Sequence, residues 1–285
     1  MAAAPGTVGV LGGGRMGAGI AQSFAAAGST VVVVESGEEA AGAARERVAA
    51  GLRRAAERGK LGEEAERVLE RVTVTASVDG LPAAADLVVE AVPEDAALKV
   101  RMLAAAEKAV GEGAVLATNT SSLSVTELAG ALTRPERFLG LHFFNPVPAS
   151  ALVELVVAEQ TAKGTVRAAL EWVRALGKQD VVVRDSPGFA SSRLGVALGL
   201  EAIRMVEEGV AEPEAIDTAM SLGYRHPMGP LRLTDLVGLD VRLAIAEYLH
   251  GTLGERFAPP RLLREKVARG ELGRKTGQGF YTWEE

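Results

Sequence analysis

Val8-Gly9-Val10-Leu11-Gly12-Gly13-Gly14-Arg15-Met16-Gly17 is the stretch whose reading decides the fold. A short apolar strand enters a turn of the form G-x-G-x-x-G, and Ala18–Ala27 follows with the composition of a helix. In that arrangement Gly12 permits the tight turn, Gly14 lets the backbone approach a pyrophosphate, and Gly17 lets helix and strand pack closely. Arg15 and Met16 fill the turn, and the helix N-terminus offers unpaired N–H groups to phosphates. A lone triplet of this kind also occurs in ordinary glycine-rich surface turns. Here, however, the next strand, Thr30–Val34, ends in Glu35, close to the spacing at which an acid bonds a ribose 2′-hydroxyl. A carboxylate there repels a 2′-phosphate, so NAD(H) is favoured over NADP(H).

Working outward, Glu38–Arg58 reads as a long charged, alanine-rich helix, followed after Gly59-Lys60-Leu61-Gly62 by a second, Glu63–Glu70. This pair exceeds a usual crossover and reads as a projecting arm. Strands Val72–Thr75, Leu87–Glu90, Val115–Thr118 and Phe138–Leu141 then alternate with helices near Ala96–Val110 and Val125–Ala131. Leu152–Val157, a helix near Val166–Leu176 and Val181–Val183 close the series. The alternation predicts an α/β fold, a mainly parallel sheet covered on both faces. At Asp185-Ser186-Pro187-Gly188 the pattern turns wholly helical up to about Arg269. Asp185 or Ser186 is expected to cap a helix starting near Pro187, with Leu194, Leu198, Ile203 and Val206 as its buried stripe. The domains are therefore placed at 1–185 and 186–285.

With 285 residues, 48% hydrophobic and 24% charged, the chain has the composition of an ordinary globular protein long enough for two domains. A formal net charge of −6 provides no global basic field, which argues against nucleic acid as a main partner. A polyanionic ligand must then meet a local basic patch. The chain has no cysteine and three histidines, which excludes disulfides and thiolate chemistry and leaves a zinc site without support. Met1-Ala2-Ala3-Ala4-Pro5 lacks a charged leader and a long apolar core, and no run reaches the roughly 18 apolar residues of a membrane span. A cytoplasmic protein without membrane contact is the simplest expectation.

His142-Phe143-Phe144-Asn145-Pro146-Val147-Pro148-Ala149-Ser150-Ala151-Leu152-Val153-Glu154 places a base, an amide and a carboxylate around two prolines. A histidine held by a carboxylate can take a proton from an alcohol near neutral pH. Read from the residues alone, other roles remain open: His142 as a satisfied structural histidine, Glu154 as a solvent-facing residue of an edge strand, Ser121 and Ser122 as helix caps, and Lys60, Glu94 and Lys99 as surface charges.

Together the glycine turn, Thr118-Asn119-Thr120-Ser121-Ser122-Leu123, the His142–Pro148 run, Asp185-Ser186-Pro187-Gly188-Phe189, His226-Pro227-Met228-Gly229-Pro230 and the ending Gly273–Tyr281 resemble the L-3-hydroxyacyl-CoA dehydrogenase family, in particular its short-chain 3-hydroxybutyryl-CoA branch. The resemblance spans nearly the whole chain. It implies a Rossmann-like N-terminal domain with the helical arm and an all-α C-terminal domain that forms a homodimer. It further implies oxidation of (S)-3-hydroxyacyl-CoA to 3-ketoacyl-CoA with NAD, or the reverse, in fatty acid metabolism. Residue by residue it makes His142 the base and Glu154 its partner, and puts Ser121 beside substrate and nicotinamide. Glu94, Lys99, Asn119, Asn145 and Lys275 become cofactor positions, with Asn145 also near substrate, and Lys60 meets the CoA nucleotide. Relatives read P-G-F-x-x-N-R where this chain has Ser192 in place of the asparagine that helps hold substrate. A hydroxyl reaches less far than an amide. Two other readings stay open: a dehydrogenase of a non-CoA hydroxy acid, such as a sugar acid or carnitine-like compound, and a non-enzymatic NAD-binding structural protein.

Overall fold

Five residues of strand, the glycine turn and a helix start the architecture in the computed structural model, which describes residues 3–284. The Met1 and Ala2 of the N-terminal reading lie outside the described residues. Strand β1 (Thr7–Leu11) leads into α1 (Arg15–Ala26), which returns to β2 (Thr30–Val34) parallel to β1. Helix α1 begins three residues before the predicted Ala18. Arg15, Met16 and Gly17 are its first turn, because Gly14 takes the extended N-cap conformation and Arg and Met are good helix formers. That turn carries no acidic residue and no capping side chain, so its N–H groups stay suited to an anion.

The arm follows as α2 (Glu38–Glu57) and α3 (Ala65–Glu70), and then β3 (Val72–Thr75), β4 (Leu87–Glu90), α4 (Ala96–Ala109), β5 (Val115–Thr118), α5 (Val125–Ala129), β6 (Phe138–Phe143), β7 (Leu152–Val157), α6 (Lys163–Ala175) and β8 (Gln179–Arg184). The eight strands form one sheet in the order β3-β2-β1-β4-β5-β6-β7-β8. Pairing is parallel from β3 to β6, reverses between β6 and β7, and is parallel again between β7 and β8. Every residue of β4, β5 and β6 is buried, which is why these strands read as continuous apolar runs rather than alternating ones. Val10, Ile20, Phe24, Val33, Val89, Leu141 and Leu155 belong to one core that joins α1 to the sheet. From β1 the chain moves outward to β2 and β3, then back across to β4. That reversal opens a crevice at the carboxyl ends of β1 and β4, where ligands of open α/β sheets bind.

The chain divides into two compact units at Asp185 and Ser186. The second contains α7 (Ser191–Glu207), α8 (Pro213–Thr218), α9 (Pro230–Val237), α10 (Leu239–Leu253) and α11 (Arg261–Ala268), with a core of its own around Val196, Leu200, Ile203, Leu231, Leu239, Leu249 and Leu263. Two expectations are corrected here. Asp185 does not cap the helix that follows: its Oδ2 accepts from Ser124 Oγ and Thr126 N at 2.7 and 2.8 Å, at the start of α5, and α7 begins only at Ser191. Leu194 is 71% exposed, and the buried face of α7 is Val196, Gly199, Leu200, Ala202 and Ile203. The closing Gly273–Tyr281 motif is a strap. Buried Asp235 accepts from the backbone N of Phe280 and Tyr281 and from Trp283 Nε1, each within 2.9 Å, and Tyr281 donates its hydroxyl to Asp217.

The glycines of the first turn make a sharp contrast. A Cβ on Gly17 would lie 1.8 Å from the carbonyl oxygen of Gly12, a backbone atom that cannot move aside, whereas a Cβ on Gly14 would have nothing within 4 Å. Gly17→Ala is expected to abolish or severely lower folding stability in urea denaturation. Gly14→Ala is expected to stay within about 0.5 kcal/mol of the parent, the range of an unencumbered surface change, while weakening NADH binding measured by fluorescence.

Candidate active site

The reversal between β6 and β7 puts His142 directly opposite Glu154. Residues opposite one another in an antiparallel pair share a face of the sheet, so two side chains twelve positions apart meet: His142 Nδ1 is 2.8 Å from Glu154 Oε2. Both are buried. An ionised carboxylate only accepts, so this bond assigns the proton to Nδ1 in the neutral ring and makes Nε2 the basic nitrogen. The Phe144 ring packs with its centroid 4.4 Å from the imidazole. Asn119, at the end of β5, fixes the end of β6 by accepting the Phe143 N–H on Oδ1 at 2.9 Å. The connecting loop carries Asn145, exposed, in a cis peptide bond to Pro146.

A charged cluster stands at the ends of β4 and β5. Lys99, 1% exposed, gives its ammonium to Glu90 Oε1 at 2.7 Å, to the Val92 carbonyl at 3.1 Å and to Glu94 Oε2 at 3.2 Å. Glu90, at the carboxyl end of β4 and fully buried, also accepts from Thr118 Oγ1 at 2.6 Å and from Val92 N at 2.7 Å. Glu94 Oε1 collects Thr120 Oγ1 at 2.5 Å, Ser121 N at 3.0 Å and Ser122 N at 3.2 Å, with Ser122 Oγ at 3.0 Å. Burial alone would raise the Glu94 pKa. The Lys99 charge and the hydrogen bonds from Thr120, Ser121 and Ser122 outweigh it and hold the carboxyl below its usual range. Lys99 is thus no surface charge, and the ammonium expected at a cofactor is engaged with three protein oxygens. Ser121 is seated by Glu94. The cap of α5 is neither Ser121 nor Ser122 but Ser124, whose Oγ accepts from Glu127 N.

At the glycine turn, Gly12 has φ +91° and Glu35 Oε1 accepts from Gly13 N at 2.7 Å. Open space over Gly14, the uncapped start of α1 and a carboxylate at the end of β2 fit the pyrophosphate and adenine ribose of NAD. Gly13, which the motif leaves unspecified, is required too: a Cβ there would lie 2.3 Å from Ala44 Cβ of α2.

A groove of about 950 Å³ runs along α1 and α2 to the Asn145–Ala149 loop. Its charged lining is entirely basic: Arg15, Arg47, Arg54, Arg58, Lys60 and Lys178. The local basic patch that a polyanion requires is here, in a chain of net charge −6. In the sequence only Lys60 had been singled out within the arm. Arg54, in the last turn of α2, and Arg58, its C-cap residue, stand four apart and so project from one side, and Lys60 follows in the turn just beyond. Ser192, in the first turn of α7, and Lys275, whose Nζ is 2.6 Å from both carboxylate oxygens of Asp240, belong to the second unit. Among the described residues, no three His, Asp or Glu side chains are gathered to hold a metal, and no helix is long and apolar enough to cross a membrane.

The family model described as 3-hydroxyacyl-CoA dehydrogenase, NAD binding domain, matches residues 7–186, and that of the C-terminal domain matches residues 188–283. The chain is 44% identical over 278 residues to a probable 3-hydroxybutyryl-CoA dehydrogenase of Bacillus subtilis, covering 97% of this chain and 96% of that protein. It is 45% identical over 280 residues to the 3-hydroxybutyryl-CoA dehydrogenase of Mycobacterium tuberculosis, covering 97% and 98%. The crystal structure of (S)-3-hydroxybutyryl-CoA dehydrogenase PaaH1 from Ralstonia eutropha superposes with a TM-score of 0.93 at 43% identity, over 99% of this chain and all of that one.

The Lys99 cluster has a measurable signature. Removing one partner of a buried pair leaves an uncompensated charge, at a cost of about 3–5 kcal/mol. Lys99→Met should lose that much in urea denaturation. The double variant Glu90→Gln/Lys99→Met, which removes both charges, should regain a large part of it.

Proposed function

The chain belongs to the 3-hydroxyacyl-CoA dehydrogenase family, and on that premise we propose that it interconverts short-chain (S)-3-hydroxyacyl-CoA and 3-ketoacyl-CoA with NAD, using His142 as base and acid. The observation that carries the proposal is the 2.8 Å contact between His142 Nδ1 and Glu154, which fixes the ring and makes Nε2 the nitrogen that exchanges the substrate proton. In the oxidative direction Nε2 accepts the proton of the 3-hydroxyl while the C3–H bond breaks. Bound NAD supplies the hydride acceptor, and NADH the donor for the reverse. The imidazolium so formed is stabilised by the adjacent Glu154 carboxylate, whose hydrogen bond also fixes the ring's orientation. Ser121, seated by Glu94, orients the substrate oxygen, and Asn145 contacts the substrate; Ser192, in the second unit, is assigned a substrate role of its own. Asn119 and Lys99 act on the cofactor side, Lys99 through Glu90 and Glu94, and Lys275, in the second unit, is assigned a cofactor role of its own.

The CoA thioester is favoured over a free hydroxy acid by the groove. Five exposed basic side chains, Arg15, Arg47, Arg54, Arg58 and Lys60, without an acidic one suit the phosphates of a nucleotide far better than a small monoanion. A purely structural role leaves the buried base and carboxylate without a purpose, since burying a carboxylate beside a polar ring is costly. We place the activity in the cytoplasm. As part of the same proposal the enzyme is a homodimer through its second unit, where Leu194, Leu222 and Tyr224 are 71%, 78% and 76% exposed. Covering such side chains is the usual use of an isologous interface.

In an assay of NADH consumption with acetoacetyl-CoA, His142→Gln should depress turnover at least about a hundredfold with NADH binding near that of the parent. Unchanged turnover would refute the role of His142. In the same assay the parent should prefer acetoacetyl-CoA over a truncated acetoacetyl thioester lacking the nucleotide; equal efficiency would point to the non-CoA reading. Light scattering at micromolar concentration should return twice the 29.6 kDa chain mass, and a single-chain mass would end the dimer assignment.

A further inference from the structure

Lys178 is a buried cation that the reaction as described does not use. It is 8% exposed, and its Nζ donates to the carbonyl oxygens of Val147 at 2.7 Å and Ser150 at 2.6 Å. Both acceptors lie in the loop that joins β6 to β7, between His142 and Glu154. The placement follows from the local sequence. Gly177, with φ +69°, ends α6 in the left-handed turn that glycine tolerates, and the chain enters β8, where Gln179 N bonds the Ala151 carbonyl at 2.6 Å. The side chain between these two points is aimed under the loop.

The loop is held from two sides. Opposite Lys178, Val147 is 2% exposed and packs on α1 so closely that a Cβ on Gly19 would lie 2.9 Å from the Val147 Cβ. Within the loop, Ala149 N and Ser150 N both bond the Pro146 carbonyl. Without Lys178 the carbonyls of Val147 and Ser150 would lose their ammonium donor. Burial pushes the Lys178 pKa below the usual lysine range, and no carboxylate offsets it. A desolvated cation kept for two backbone oxygens has a cost that a merely apolar side chain would avoid.

We propose that Lys178 is a positioning residue for the reaction: its ammonium fixes the Asn145–Ser150 loop, and through that loop the alignment of His142 with Glu154 and the place of Asn145. The loop is the covalent link between base and carboxylate, and it lines the groove in which the substrate lies. Misplacing a catalytic pair by about 1 Å lowers rates by as much as a hundredfold, so the effect belongs in turnover rather than in cofactor affinity.

The inference rests on the proposed function, and one experiment separates the two. Acetoacetyl-CoA reduction and NADH binding are measured for the parent, Lys178→Met, Lys178→Cys and Lys178→Cys alkylated with 2-bromoethylamine while unfolded and then refolded. The chain has no cysteine of its own, so alkylation rebuilds an ammonium at position 178 alone. The expected result is a kcat lowered at least about tenfold in Lys178→Met and Lys178→Cys, with NADH Kd within about twofold of the parent, and recovery of most of that kcat on alkylation. If Lys178→Met does not fold, the Cys variant before and after alkylation carries the test, with the parent refolded alongside. A kcat within twofold of the parent, a loss matched by an equal loss of NADH binding, or no recovery on alkylation would overturn the role of Lys178. An inactive parent would instead overturn the proposed function.

Discussion

One register between two strands holds the chemistry of this protein together. Side chains alternate between the faces of a strand, so a slip of one residue between β6 and β7 would turn Glu154 to the opposite face from His142 and place a carboxylate in the apolar core. The pair is therefore specified twice. The hydrophobic residues around it, Leu141, Phe143, Val153 and Leu155, all buried, select the register through packing. The hydrogen-bonded pair then forbids the alternatives, because a buried carboxylate without its partner is strongly unfavourable. This also accounts for the antiparallel step in an otherwise parallel sheet. A parallel crossover would demand a helix-length connection, whereas the short loop brings base and carboxylate together directly.

The Glu90–Lys99–Glu94 cluster extends the same logic across the neighbouring strand ends. Glu90 closes β4 and bonds Thr118 at the end of β5, and Lys99 reaches back from α4 to bridge it to Glu94. Glu94 in turn gathers Thr120, Ser121 and Ser122. The peptide segments after β4 and β5 are thus tied to one another by charge-assisted bonds rather than by an apolar contact, at the carboxyl end of the sheet where a dinucleotide fold leaves its backbone open to ligand. Asn119 continues the chain of bonds to the end of β6. Strand ends that would otherwise move independently are linked side by side, from β4 to the histidine strand.

Much of this was legible in the sequence. The glycine spacing, the acidic end of β2 and the alternation of strands and helices implied the first unit, because each depends on local periodicity. The His142–Glu154 pairing came from composition and resemblance, and the register explains it. What escaped was decided by tertiary packing. Glu90 reads as an ordinary strand terminus, and Lys99 as a solvated helix charge, since no local pattern distinguishes a buried acid from an exposed one. Asp185 carries a good capping residue's side chain, yet it accepts from Ser124 and Thr126 at the start of a helix sixty residues earlier, and Leu194 sits at helical spacing but faces outward. The closing Lys-Thr-Gly-containing motif resembled a binding element, and its backbone proves to be strapped by Asp235.

The contrast between overall and local charge completes the account. A net charge of −6 would repel an anionic substrate at long range, but screening limits that repulsion to about 8–10 Å at physiological salt. Inside that distance the groove along α1 and α2 is lined by six basic residues and no acidic one. The arm contributes Arg47, Arg54, Arg58 and Lys60, which accounts for a helical pair longer than a crossover needs. In a single helical insertion the fold gains a surface for a polyanion without altering the strand ends that place the base.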